Sequence, residues 1–332
     1  MKNWINRLTS RSDKAAAAAV AATADSAPPA SPGRAAGEEA PDLAAEIEAA
    51  YYRWLTATRG YTATADVKSR ILDEVRHLAQ QPSEAAGLVP RVPETIPRLL
   101  ASLRDEDVPV AALARQVTQD VVLLAEVIRE ANSAYYRPIT PIKDAEAAIT
   151  MLGQNGLRML VARIAFRPLI NMQPTGFARE AAPRVWSQSV SCALAASLMA
   201  PGLSTGVFEA YLSGLMQNVG LVVAFRIVDG ACPDSKVPAS STFGVELLAC
   251  SRQLSAAIAT HWDFPAAVAD AISHAGAPGQ DPLAQALAQG DRIAKLRLLV
   301  DAGVLSESSD LVTEGLDNFQ RRCLGKLAKL DA

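Results

Sequence analysis

The sequence predicts an all-α protein, a multi-helix body preceded by a helical extension and an Ala/Pro-rich tail. Three observations point there. Apolar residues recur at three- and four-residue spacing through most of the chain. Beyond Pro93 no stretch shows the strict two-residue alternation of a half-buried strand. Half of the 332 residues are hydrophobic, enough for one sizeable core, while no apolar run reaches the roughly 20 residues that span a bilayer.

In chain order, residues 1–41 are expected to be a flexible tail. From Ser10 onward they are built of Ala, Pro, Ser and Gly, with too few large apolar residues to offset the entropy of ordering. At its start Trp4, Ile5 and Leu8 share one helical face, a short amphipathic segment. The Ala15–Ala22 run is a poor signal peptide, because alanine is weakly hydrophobic and mostly polar residues precede it. Residues 42–92 read as a helical hairpin and linker: Leu43, Ile47, Tyr51 and Leu55 form one stripe, Val67, Ile71, Val75 and Leu78 another, with a break near Gly60. Pro82, Gly87, Pro90, Pro93 and Pro97 then punctuate the chain and mark a boundary.

From residue 93 to 300 helix follows helix. The clearest is drawn by Phe208, Tyr211, Leu212, Leu215, Met216, Val219, Val222 and Val223, read as one continuous apolar stripe. By that phase Gln217 stands opposite the stripe and Asn218 at its edge. Residues 301–332, with Leu311, Leu316, Phe319, Leu324 and Leu327, read as further helices that pack on the body or mediate association.

Charge and cysteine content narrow the function. A net charge of −3 gives no basic footprint for nucleic acid. The four cysteines, Cys192, Cys232, Cys250 and Cys323, are widely separated, so neither a zinc pattern nor a disulfide framework is present, which suits reduced thiols in the cytoplasm. No P-loop, dinucleotide fingerprint or nucleophile motif occurs.

The string Ala131-Asn132-Ser133-Ala134-Tyr135-Tyr136 is followed by Pro141-Ile142-Lys143-Asp144-Ala145, Ala148-Ile149 and Leu152-Gly153. Then come, in order, Trp186 with Ser189, Gly214-Leu215 with Val219-Gly220, Trp262 with Pro265, and Ala271-Ile272 with His274. This series resembles the HD-related output domain (HDOD) family over roughly residues 93–300. Asn132 and Ser133, with Gly153 and Gly220, are its structural motif residues. Both Asn132 and Ser133 also suit the end of a helix, because their side chains bond nearby backbone groups.

The resemblance implies bacterial signal transduction by a non-catalytic module that contacts protein partners, with an association to cyclic di-nucleotide networks. The family is similar to HD-type phosphohydrolases, which hold metal ions with histidines and aspartates. At the matching positions this chain has Gln188, Gln217 and Asn218. Neutral amides supply no charge to offset a cation's desolvation. Of three histidines only His274 matches the pattern, its partner position being Ser273; Asp291 either matches an aspartate near the pattern's end or is a helix-surface charge. The expectation is therefore no enzyme, no metal and no cofactor. Gln188, Gln217, Asn218, His274 and Asp291 are the candidates for a vestigial cleft. Two further readings stay open: a sensor that binds a nucleotide in that cleft without turnover, and a residual phosphohydrolase.

Overall fold

A computed structural model of the protein describes residues 43–89, 109–133, 138–171, 173, 175–277, 279 and 281–328. The expected tail with its amphipathic segment, the proline-rich connector around Pro93 and Pro97, and Ala134–Tyr136 of the motif lie outside the described residues.

The chain enters through α1 (Leu43–Thr56), which buries Ile47, Tyr51, Tyr52 and Leu55 much as its stripe predicts. A two-residue strand β1 (Gly60–Tyr61) leads to α2 (Ala65–Gln80), opened by Thr64, whose side chain accepts a hydrogen bond from the Val67 backbone. A short α3 (Pro82–Gly87) follows. A helical hairpin set off by a boundary is expected here; both long helices lie against α10 (Ser241–His261), and their buried residues join the main core. Tyr52 shows why: its ring sits over Gly244, where any Cβ would collide with it, and its hydroxyl donates to the Pro238 carbonyl at 2.8 Å. The expected boundary after residue 92 is thus no boundary in the fold, and Asp42–Ala332 forms one compact unit. Strand β1 pairs in parallel with β2 (Val237–Pro238), a pairing too short to leave any alternation in the sequence.

Helices α4 (Val110–Val117) and α5 (Val121–Ala131) pack on α6 (Ala145–Asn171) around a small core of Leu113, Val127, Ile149 and Leu157. Asn132 ends α5 and does more than cap it. Its Nδ2 donates to the carbonyls of Ile128 and Ile142, both at 2.8 Å, and its Oδ1 accepts from the Ile142 backbone at 2.8 Å. One amide therefore closes the loop between α5 and α6. Gly153 breaks α6 with φ of 69°, a left-handed conformation that a side chain rarely tolerates.

The centre of the fold is α7 (Gly176–Met199), flanked by α8 (Val207–Met216), α9 (Val219–Ala231) and α12 (Pro282–Asp301). On the far side α11 (Ala266–His274) packs between α10 and α12. The tail of the chain forms α13 (Asp310–Thr313) and α14 (Asn318–Leu327), and Cys323, Leu324 and Leu327 are buried against α12.

The stretch Val207–Ala231 is long and apolar enough to pass for a membrane span, which the sequence reading did not pick out. It is interrupted between α8 and α9, and 83% of its apolar window is buried inside the fold.

Candidate functional site

Five elements meet at a buried polar cluster. Helix α7 contributes Gln188, Ser189 and Cys192; the turn between α8 and α9 contributes Gln217 and Asn218; α12 contributes Asp291 and Lys295; α10 contributes Arg252; and α1 contributes Glu48 and Tyr51. Asp291 and Lys295 are one helical turn apart, so both project from the same face of α12. Both are nearly inaccessible, at 5% and 4% exposure.

The hydrogen bonds converge on Asp291. Its Oδ1 accepts from Gln188 Nε2 at 2.5 Å and from Gln217 Nε2 at 2.9 Å, and its Oδ2 accepts from Lys295 Nζ at 2.7 Å. Asn218 Nδ2 donates to Gln188 Oε1 and, at 2.9 Å, to Ser189 Oγ. Gln217 Nε2 also lies 2.9 Å from Cys192 Sγ. From the opposite side Glu48 reaches Lys295 with both carboxylate oxygens, at 2.6 and 2.7 Å, and takes a longer contact from Arg252 at 3.3 Å. Lys295 Nζ stands 5.3 Å from the Tyr51 ring centroid. Two carboxylates and two cations share the cluster, so it is electrically balanced.

That balance keeps Asp291 and Lys295 charged. Burial alone would raise the Asp291 carboxyl, but the Lys295 and Arg252 charges and the hydrogen bonds from Lys295 and Gln217 bring it below the ordinary carboxylate value. Burial alone would lower the Lys295 ammonium, but Asp291 and Glu48 outweigh burial and raise it. The Cys192 thiol is pushed well above its ordinary value by burial and then by Asp291, so it stays protonated and is no nucleophile. A carboxyl held below its unfolded value contributes stability present above about pH 4 and lost as pH falls through the folded value; a raised ammonium contributes below about 10.4 and loses it only above. Asp291 therefore adds stability at neutral pH that disappears on acidification. The urea midpoint of the wild type should fall more steeply below about pH 4 than that of Asp291→Asn, which has no such proton to take up. Parallel slopes in the two proteins would refute a depressed Asp291.

Four of the five sequence candidates, Gln188, Gln217, Asn218 and Asp291, come together here. His274 does not: it is exposed at the end of α11, and its Nδ1 lies 2.8 Å from the Asp270 carbonyl. The phase expected for Gln217 is also corrected. The side chain is only 3% exposed, because α8 ends at Met216 and the turn at Gln217 and Asn218 resets the direction of the next helix. Glu48, Tyr51, Arg252 and Lys295 were missed by the sequence reading. One signal was available: Ala284, Leu287, Asp291, Lys295 and Leu298 fall on one helical stripe, so two charges interrupt an otherwise apolar face.

The residues do not fit a divalent metal. The space between the carboxylates is filled by the Lys295 ammonium, the Gln188 and Gln217 amides are turned toward Asp291, and the Asn218 amide is turned toward Gln188. Among the described residues no cluster of three His, Cys, Asp or Glu side chains could hold an ion. An open cleft of about 620 Å³ lies elsewhere, between α2, α10 and α11, lined among others by Arg76, Cys250, Gln253, Asp270 and Ser273. It contains none of the buried cluster.

A family profile described as HDOD domain matches residues 89–278. No curated protein matches the chain. Among solved structures, an HDOD domain protein of unknown function from Geobacter sulfurreducens is 22% identical, with a TM-score of 0.54 over 77% of this chain and 94% of its own. A candidate metal-dependent phosphohydrolase from Shewanella amazonensis SB2B is 18% identical, with a TM-score of 0.53 over 79% and 99%. A candidate signal transduction protein from Marinobacter aquaeolei VT8 is 22% identical, with a TM-score of 0.52 over 79% and 66%. At these identities the likeness is one of fold.

Proposed function

The chain belongs to the HDOD domain family, with the family pattern running through residues 89–278, and on that premise we propose that it is a non-catalytic signalling module. Its helical body serves as a cytoplasmic scaffold that holds protein partners, linking an upstream regulator to a downstream effector. One observation carries the reading: the positions that resemble hydrolase metal ligands hold the amides Gln188, Gln217 and Asn218, buried among hydrogen bonds that lead to Asp291, whose other oxygen is held by the Lys295 ammonium. A hydrolytic metal must keep an open position for water or substrate. The Asp291 cluster offers none, since Gln188 is fully buried and Asp291 and Lys295 nearly so. The same packing weighs against a nucleotide sensor, because a nucleotide needs a concave site with polar groups turned into it.

The test is affinity capture from native cells with the full chain and with residues 43–332 as baits, alongside a phosphoester assay of the purified protein in Mn²⁺ and Mg²⁺. The same regulator recovered in stoichiometric amount by both baits places the contact on the helical body. Recovery by the full chain alone places it in residues 1–42. Folded bait that captures nothing, together with metal-dependent turnover, overturns the reading.

A further inference from the structure

We propose that Lys295 is a built-in cation: its ammonium occupies the centre that a free ion would need, and Glu48 from α1 closes that centre. The inference concerns the buried cluster alone and stands whether or not the chain has a partner.

The geometry is that of a bound cation. Three carboxylate oxygens from two distant segments, Glu48 Oε1 and Oε2 and Asp291 Oδ2, surround Lys295 Nζ at 2.6–2.7 Å. An ammonium has three donors and no acceptor, and each of the three has an oxygen here. The Tyr51 ring lies on a further side, at 5.3 Å. Glu48 and Lys295 are 247 residues apart in sequence, and α1 lies outside the matched family region. Asp291 and Lys295 on α12 lie beyond the matched region as well, so the ammonium ties together two segments that flank the family pattern, and Asp291 joins them to Gln188 and Gln217 within it.

Charge fixes which cation belongs. Arg252 already balances one of the two carboxylates at 3.3 Å. Without Lys295 the cluster has a single negative charge in excess, which one monovalent cation neutralises. A divalent ion would leave a net positive charge in a buried site, an expensive outcome in low dielectric. The chemical class that fits the vacated centre is a small primary ammonium ion, able to repeat the three hydrogen bonds of Nζ.

The experiment removes the tether and supplies the ion. Lys295→Ala is unfolded in urea and refolded in the presence of ethylammonium, methylammonium or Mn²⁺ chloride, against NaCl at matched ionic strength, with the wild type as reference. The expected result is a large loss of urea midpoint in NaCl, of which ethylammonium or methylammonium restores a substantial part, with no restoration by Mn²⁺. The same amines should leave the wild type unmoved. No amine effect beyond that on the wild type, or a larger effect of Mn²⁺, overturns the proposal.

A second pair of variants decides the matter should Lys295→Ala fail to refold in every condition. Lys295→Met leaves Glu48 and Asp291 with one unbalanced charge; Lys295→Met with Glu48→Gln restores balance. The double variant is expected to unfold at higher urea than the single. A double variant that unfolds at the same or lower urea shows that the charges are not coupled through Lys295, and the proposal falls.

Discussion

Asp291→Ala is expected to lower the free energy of unfolding by about 3–5 kcal/mol, the range for removing one partner of a buried ion pair. The change takes away the acceptor of three hydrogen bonds at once, those from Gln188, Gln217 and Lys295. Lys295 keeps Glu48, but Lys295 and Arg252 then face a single carboxylate in a site with almost no access to water. The two glutamine amides also lose their acceptor, and an unsatisfied buried donor costs about 1–3 kcal/mol. Urea unfolding at neutral pH measures the loss. A change under about 1 kcal/mol would mean that water reaches the cluster and replaces the carboxylate, since only exposed ion pairs are that weak.

Gly220→Ala should cost about 3 kcal/mol, the upper end of what overpacking a well-filled interface usually costs. A Cβ at this position would stand 2.3 Å from the Ser251 carbonyl oxygen and 2.7 Å from the Ser255 nitrogen. Both are backbone atoms of α10, so no rotamer change relieves the contact and α9 must move away. The Gly220 N–H also donates to Ser255 Oγ at 2.8 Å, and that hydroxyl lies 2.6 Å from the Gln217 carbonyl. Separation of the helices would therefore disturb the turn that aims Gln217 at Asp291. Gly230→Ala is the control, because nothing lies within 4 Å of a Cβ there and alanine favours a helix over glycine. Equal urea midpoints for the two variants would show that the α9–α10 approach is looser in solution.

Much of the architecture follows from local pattern. The stripes of Ile47, Tyr51 and Leu55, and of Ile71, Val75 and Leu78, became buried helix faces as drawn. Asn132 ends its helix as its side-chain chemistry suggests, although its bonds to Ile142, ten residues on, could not be read from spacing. The apolar stripe through Val223 spans two helices, not one, and Gln217 lies at the break between them. A phase counted along a single helix is valid only while the helix continues, and the turn at Gln217 and Asn218 ended it.

The sequence by itself determined the helical class and the inward faces of the long helices. Those are properties of residue type and of a repeat a few residues long, which the chain displays locally. Only the tertiary structure decided that α1 and α2 belong to the domain core, that His274 faces outward, and that Glu48 meets Lys295 across the fold. A charged side chain reads as surface until a partner is known, because burial is tolerable only when the opposite charge arrives with it. For Lys295 one partner lies a helical turn away at Asp291, while the other arrives from 247 residues earlier in the chain.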